Sequence, residues 1–284
     1  MFLQKLRGIQ NNLFGHSIIH CCTQKTASQW FANLMVDLNR LNRNPYRIIR
    51  FSRFREEEII KRGLAKLPNY ELQRKLYEDL TVLPLRNLKS NSIYTNMYIG
   101  PAILEYLPNR RSKVFFILRD PRDIVISWYY STKYSHHLTE NIDKSRKVLN
   151  NLEFNEGILY SIDIISEFGL FNGIRAWIEH GEAKNCKIFF YEDLVANYES
   201  FMKDLFSYLE FNIGSSDFKD ILERHSFSKI SNGRKPGEID VRSHYRSASI
   251  NEWKKVFSKE IIEYFKLKSN SLDELYEKYY IKYR

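Results

Sequence analysis

Five consecutive apolar residues at positions 114–118 (VFFIL) set the pattern of the fold, because they lead directly into a helix start. Residues 119–127 (RDPRDIVIS) follow, with a proline where a first helical turn would begin. A helix that starts right after a strand presents unpaired backbone N–H groups, and Arg119 stands beside them. The segment therefore predicts an anion site of the kind that binds phosphate.

A second segment has the same layout. Residues 17–22 (SIIHCC) run into residues 23–30 (TQKTASQW), and apolar positions then recur at helical spacing as far as Leu41. Lys25 supplies a point charge, and the Thr26 and Ser28 hydroxyls can cap the helix and donate to phosphate oxygens. Two such sites indicate a ligand with phosphates at both ends. The segment contains no glycine, which disfavours the GxxxxGK[ST] loop of a nucleotide triphosphatase or kinase.

The rest of the chain alternates strands with helices, which predicts a single α/β domain with a central parallel sheet covered on both faces. We expect the domain to occupy residues 1–284, with its core at about 17–260 and closing helices at 259–284. The predicted strands are 18–22, 45–51, 93–97, 114–118 and 187–191, and the predicted helices are 28–41, 121–134, 161–180 and 198–209. Residues 53–80 look helical, residues 135–155 look like a mobile loop, and residues 228–250 look like either an ordered functional loop or a disordered lid.

Composition narrows the class of protein. With 43% hydrophobic residues in 284, global disorder is disfavoured. The net charge of +10 fits anionic nucleotides, anionic polymers, or nucleic acid and membrane surfaces. Three cysteines without CxxC or Cys/His spacing indicate free thiols in a reducing compartment and no metal site. No apolar run could span a membrane and the N-terminus does not look like a signal peptide, so we expect a cytoplasmic protein.

Residues 191–194 (YEDL), directly after a predicted strand, complete an ordered set of motifs with residues 24–30 and 119–127. Together they resemble the sulfotransferases that use 3′-phosphoadenylyl sulfate (PAPS), whose product is adenosine 3′,5′-bisphosphate (PAP). Residues 226–227 (SF), 233–237 (GRKPG) and 244–254 (HYRSASINEWK) resemble later motifs of that family. The resemblance spans about residues 17–260 and implies a P-loop-NTPase-like sulfotransferase architecture.

The resemblance also implies roles for individual residues. The first loop would hold the 5′-phosphosulfate, the second would hold the 3′-phosphate, and aromatic side chains would flank the adenine. The implied cofactor-binding residues are Lys25, Thr26, Ala27, Ser28, Gln29 and Trp30 in the first loop, Arg119 and Ser127 in the second, Tyr191 and Phe227 beside the adenine, and Arg246, Ser247 and Ala248 at the 3′-phosphate. Arg119 and Arg246 can grip phosphate in fork geometry.

The catalytic residues match the family less well. Lys25 is placed to stabilise charge on the leaving oxygen. Many members carry a catalytic histidine in a KTH element, whereas residues 94–96 here are YTN, and Asn96 cannot take a proton at neutral pH. His136 and His137 are the best substitutes, since the family's acceptor pocket receives residues from this region. Acidic residues in 140–156, a shifted alignment, or a loss of activity are the alternatives.

These observations favour a sulfotransferase that moves a sulfuryl group from PAPS to an acceptor hydroxyl or amine without a metal. The alternatives are a non-catalytic basic protein that binds a nucleotide or glycan, and a nucleotide kinase-like enzyme. The basic charge suits an acidic glycan acceptor, while 19 Tyr, 19 Phe and 4 Trp suit an apolar alcohol or phenol. We expect residues 53–105 and 132–180 to line the acceptor pocket, and we expect no nucleic-acid partner.

Overall fold

A parallel sheet forms the centre of the protein. The computed structural model describes residues 16–42, 45–52, 69–78, 88–107 and 111–283. Within these ranges the sheet has five strands in the order β2-β3-β1-β4-β5, with every adjacent pair parallel. The strands are β1 Ile18–Cys22, β2 Arg47–Arg50, β3 Ser92–Met97, β4 Lys113–Leu118 and β5 Cys186–Phe190. The predicted α/β class is confirmed, and each strand lies within about two residues of its predicted bounds.

Helices cover both faces of this sheet. In the described ranges the first two are α1 Ser28–Leu41 and α2 Asn69–Glu78, and a short 3-10 helix covers Pro101–Tyr106. The middle of the chain forms α3 Pro121–Tyr130, α4 Glu140–Asn150, α5 Phe154–Glu167 and α6 Leu170–His180. The remainder forms α7 Tyr191–Ala196, α8 Tyr198–Leu209, α9 Ser215–Arg224, α10 Phe227–Ile230, α11 Trp253–Val256, α12 Lys259–Ser269 and α13 Leu272–Tyr283. No helix in the described ranges is both long and apolar enough to cross a bilayer.

Two hydrophobic clusters lie on opposite faces of the sheet, as the alternation of side chains along a strand requires. On one face Phe116 stacks on Trp177, with 4.5 Å between ring centroids, among residues of α3, α5, α6, α12 and α13. On the other face Phe115 contacts Phe31 and Phe189, among residues of α1, α8 and α9. Every residue of β1 is buried, because this strand lies at the centre of the sheet.

Residues 135–155 do not form the predicted mobile loop. A π-helical turn, Ser131–Ser135, continues α3, and α4 follows after four residues. Ion pairs one turn apart support α4: Glu140–Lys144 and Asp143–Lys147, each at 2.7 Å. Leu149 is the buried residue of this helix, which is polar overall, so its composition resembles that of a loop.

The predicted single helix over 161–180 is also wrong, because α5 and α6 are separate helices. Gly169, between them, has φ of 70°, a conformation that glycine adopts without strain. A Cβ atom at this position would lie 2.8 Å from Cγ of Arg74. A close approach and a left-handed backbone therefore both require glycine here. Of the predicted helix 53–80, residues 69–78 are helical and the remainder lies outside the described residues.

Residues 228–250 are the ordered loop, and not the disordered lid, of the two alternatives. After α10 the loop has no regular secondary structure, yet Arg234 ties its two ends together. The Arg234 guanidinium donates to the carbonyls of Tyr245 (2.6 Å) and Arg246 (2.7 Å) and to Ser243 Oγ (2.9 Å). This half-buried guanidinium thus holds the two halves of the loop together, alongside the backbone bonds Gly237–Ser247 (2.7 Å) and Asp240–Arg246 (2.9 Å).

Candidate active site

A cavity of about 600 Å³ opens at the carboxyl ends of β1, β3, β4 and β5. It brings together most of the residues that the sequence predicts as a site: Lys25, Ala27, Ser28, Gln29, Trp30, Arg119, Ser127, His136, Tyr191, Phe227, Arg246, Ser247 and Ala248. Two predicted residues, Thr26 and His137, do not line it. Within the described ranges, no group of three or more His, Cys, Asp or Glu side chains could hold a metal ion.

The loop after β1 adopts an unusual backbone for its sequence. Lys25 and Ala27 have φ of 67° and 59°, which costs a side-chain-bearing residue about 1–2 kcal/mol each. Such strain concentrates at functional sites. The predicted caps are wrong: Ala27 precedes α1 and has no capping side chain, Thr26 donates to the Thr23 carbonyl (2.8 Å), and Ser28 pairs with the Tyr98 hydroxyl (2.7 Å). The N-terminal N–H groups of α1 are thereby left without side-chain caps.

The amine of Lys25 lies in the cavity wall. Burial, with the Arg119 guanidinium nearby, lowers the pKa of Lys25 to about 7. Its Nζ donates to Ser131 Oγ at 2.5 Å. Near neutral pH this amine therefore gains a proton readily when an anion enters, since a bound anion favours the ammonium form.

Arg119 links this loop to the start of α3. Its Nη1 donates to the Lys25 carbonyl at 2.8 Å, and its guanidinium lies 4.2 Å from the Tyr191 ring centroid. The side chain is buried, and its Nε has no hydrogen-bond partner in the described part of the chain. A buried donor without a partner is costly, so this arrangement favours a bound anion.

The other charged residues of the 119–127 segment hold the site in shape. Asp120 caps α3 through the Arg122 N–H (2.9 Å), and Arg122 pairs with Asp120 (2.7 Å) and with Glu277 of α13 (2.8 Å). The Arg122 guanidinium also lies 3.6 Å from the ring centroid of Trp253, and the backbone N–H of Trp253 donates to Asp123 Oδ1 (2.9 Å). Asp120 and Arg122 are each only 5% exposed, so this charge cluster is a buried part of the site and not a solvated surface.

Arg246 approaches the cavity from the 228–250 loop. Its side chain lies 4.6 Å from the Tyr130 ring centroid. Glu252 accepts from both Nη atoms, at 2.8 Å on one side and closer on the other. Two donors of the predicted phosphate fork are therefore engaged by a carboxylate, which leaves its remaining N–H groups to a ligand. Ser247 is buried beside it, and Ala248 has φ of 47°.

Aromatic side chains line a further wall. Trp30 is 5% exposed, and its Nε1 donates to the His225 carbonyl at 2.8 Å. Phe227 begins α10, and the Arg234 guanidinium lies 5.4 Å from its ring centroid. With Tyr191 these rings provide the flat apolar surfaces that a purine base requires.

His136 and His137 differ in position. His136 lines the cavity, and its Nδ1 bonds the His137 carbonyl at 3.0 Å. Since a carbonyl only accepts, Nδ1 carries the proton and Nε2 keeps its lone pair. Burial, and secondarily Lys25, lower the pKa of His136. Sequence reasoning missed His244 as a candidate base: it also lines the cavity, and burial followed by Lys25 lowers its pKa.

Residues 94–96 do not reach the cavity. Tyr94 is buried, and its hydroxyl accepts from the Lys89 N–H at 2.6 Å. Asn96 has φ of 59°, within a bulge in which three residues of β3 match two of β1. Tyr98, beyond the bulge, lines the cavity instead; it lies in the range 53–105 expected to line the acceptor pocket, but the bulge leaves no local sequence signal that singles it out.

Comparison with known proteins agrees with this geometry. The model of the sulfotransferase domain family matches residues 17–272. Amine sulfotransferase of Oryctolagus cuniculus is 24% identical over 170 residues, which are 55% of this chain and 52% of that protein. Sulfotransferase 2A6 of Mus musculus is 22% identical over 172 residues, 54% of this chain and 57% of that protein. The chain thus aligns with about half the length of these curated relatives.

The fold is shared with a solved sulfotransferase. The crystal structure of mouse sulfotransferase SULT7A1 complexed with PAP superimposes with a TM-score of 0.56 at 15% identity, over 94% of this chain and 89% of that one. This similarity extends across the sheet and both helical layers, well beyond the stretch aligned by sequence alone. The family match over residues 17–272 shows that the chain belongs to the sulfotransferase domain family.

Proposed function

We propose that this protein transfers a sulfuryl group from PAPS to an acceptor hydroxyl or amine. One observation carries the proposal: Lys25 and Arg119, from two strand ends, line a single cavity that also has an aromatic wall. PAPS carries negative charge on its 5′-phosphosulfate and on its 3′-phosphate, and it also has an adenine ring. Its binding site therefore requires two anion sites and a flat apolar surface for the adenine. The relatives named as sulfotransferases, and the neighbour crystallised with PAP, support this donor.

The residues of the cavity divide naturally between the parts of the donor. The N–H groups at the start of α1 and the Lys25 amine would hold the 5′-phosphosulfate. Arg119, Ser127 and Arg246 would hold the 3′-phosphate, with Ser247 and Ala248 beside it. The unpartnered Nε of Arg119 fits this role, because a phosphate oxygen would satisfy it.

Catalysis then rests on positioned protons and charges, by analogy with phosphoryl transfer. His136 Nε2 takes the proton from the acceptor hydroxyl as its oxygen forms the new bond to sulfur. Lys25 donates to the bridging oxygen, where negative charge develops as the old S–O bond breaks. The His137 carbonyl holds His136 in the required tautomer, so His137 acts through its backbone.

The acceptor that best suits the cavity is a neutral alcohol or phenol. The lining residues contributed by α2, the end of β3 and the α3–α5 region are uncharged or aromatic, apart from His136: Gln73, Tyr98, Trp128, Ser131, Ser135, Thr139, Asn141, Ile142, Ser145 and Phe168. An acidic glycan would need lysine or arginine side chains here. The described part of this wall has hydroxyls, amides and rings, which match an apolar body with a few polar groups.

Calorimetry with PAP tests the donor site. We expect PAP to bind with its affinity lowered about 10–100-fold in Arg119→Ala and in Lys25→Ala, since each removes a charge-assisted hydrogen bond. Lys184→Ala, a substitution at an exposed lysine outside the cavity, is the matched control. Unchanged PAP affinity in both cavity variants would refute the proposed donor site.

A further inference from the structure

An aspartate behind the aromatic wall fixes the proton of a cavity histidine. His225 lines the cavity, as do Trp30 and Phe227. The Nε2 atom of His225 lies 3.0 Å from Asp37 Oδ2. Its carbonyl accepts from Trp30 Nε1, and the two rings meet edge-on at 6.0 Å. The side chain is 8% exposed, so the imidazole has little freedom to rotate.

The charges around Asp37 decide which nitrogen of His225 carries the proton. Arg40 pairs with Asp37 at 2.9 Å and Arg224 pairs with it at 3.0 Å. Both arginines donate to the Asp37 carboxyl oxygens, which act as acceptors, so Nε2 of His225 donates to Oδ2. Burial lowers the pKa of His225 despite the opposing effect of Asp37, so the ring is neutral at pH 7. Nδ1 then carries a lone pair, and no described group bonds it.

We infer that His225, with its tautomer set by Asp37, selects adenine over guanine at the nucleotide end of the cavity. This inference rests on the proposed use of PAPS. An adenine amino group can donate to Nδ1, whereas guanine presents an acceptor oxygen at the same ring position. Two acceptors that face each other leave both unpaired, which disfavours guanine by about tenfold or more. Asp37 is a positioning residue in this arrangement.

The test compares PAP with guanosine 3′,5′-bisphosphate by calorimetry on the full chain. We expect the unaltered protein to bind PAP at least about tenfold tighter. His225→Phe keeps an aromatic ring but removes the acceptor, and Asp37→Asn frees the tautomer, so both should bring the two affinities within about threefold. Asp220→Asn is the matched control: it removes another carboxylate from Arg224 (2.9 Å) without touching His225.

The outcomes separate this inference from the proposed function. PAP binding with an unchanged adenine preference in both variants would overturn the role of His225 and leave the donor site intact. Failure of the unaltered protein to bind either bisphosphate would overturn the proposed function itself. Nitrogen-detected NMR gives a second readout: the Nε2–H tautomer of His225 should dominate in the unaltered protein and in Asp220→Asn, and the Nδ1–H tautomer there would refute the inference.

Discussion

His20 gives a quantitative test of how β1 is packed beneath the cavity. Its side chain is fully buried, stacks on Phe115 with 4.7 Å between centroids, and has no hydrogen-bond partner for either ring nitrogen among the described residues. Burial lowers the pKa of His20 from 6.5 to about 3. The imidazole is therefore protonated below about pH 6.5 in the unfolded chain but only below about pH 3 in the folded chain. The free energy of unfolding accordingly decreases as the pH falls from about 6.5 to about 3.

The size of the effect follows from linkage. At pH 5 the imidazole of His20 in the unfolded chain is about 1.5 pH units below its pKa and is protonated, whereas in the folded chain it is neutral. Lowering the pH from about 7.5 to 5 therefore reduces the free energy of unfolding by about 2 kcal/mol through this residue. His20→Leu, an apolar replacement of similar volume, should remove this contribution. Urea unfolding at both pH values should then show a loss of unfolding free energy about 2 kcal/mol smaller in His20→Leu than in the unaltered protein. His180→Leu, at an exposed position, controls for the loss of a histidine. Equal losses in His20→Leu and the unaltered protein would refute the packing argument.

Further predictions concern catalysis and loop order. His136→Ala should lower turnover about 100-fold while PAP affinity stays unchanged, because it removes a general base; His137→Ala should keep turnover, and the reverse pattern in steady-state kinetics would reject the assignment. Arg234→Lys should raise hydrogen exchange in residues 228–250 and weaken PAP binding about tenfold, since an ammonium cannot bridge the same carbonyls; unaltered exchange would contradict the role of Arg234. Turnover should persist in EDTA, and its loss would show that a metal takes part.

Regular elements with strong apolar patterns were predictable from the sequence. The runs in β1 and β4 and the helical spacing of α1 are local signals, and the structure places these elements where the patterns do. The α4 helix was missed because its composition is polar, with Leu149 as its buried residue and exposed ion pairs such as Glu140–Lys144 along its surface. The break at Gly169 was missed because a single glycine is tolerated within many helical patterns.

The site was predictable as a set of motifs, but its chemistry depends on contacts distant in sequence. Ala27 and Lys25 adopt left-handed backbones in a segment without glycine, which no local rule predicts. The bulge near Asn96 decides that Tyr98 lines the cavity. The Asp37–His225 bond joins residues far apart in the chain, so only the folded structure reveals it.

The most direct test of the account is transfer of a labelled sulfuryl group. The protein would be incubated with sulfur-labelled PAPS and a panel of phenols, alcohols, amines and acidic glycans, with PAP release measured alongside. We predict labelled product on a neutral phenol or alcohol, one PAP released for each group transferred, and loss of both in Lys25→Ala. Tight PAP binding with no transfer to any acceptor class would contradict catalysis by this cavity.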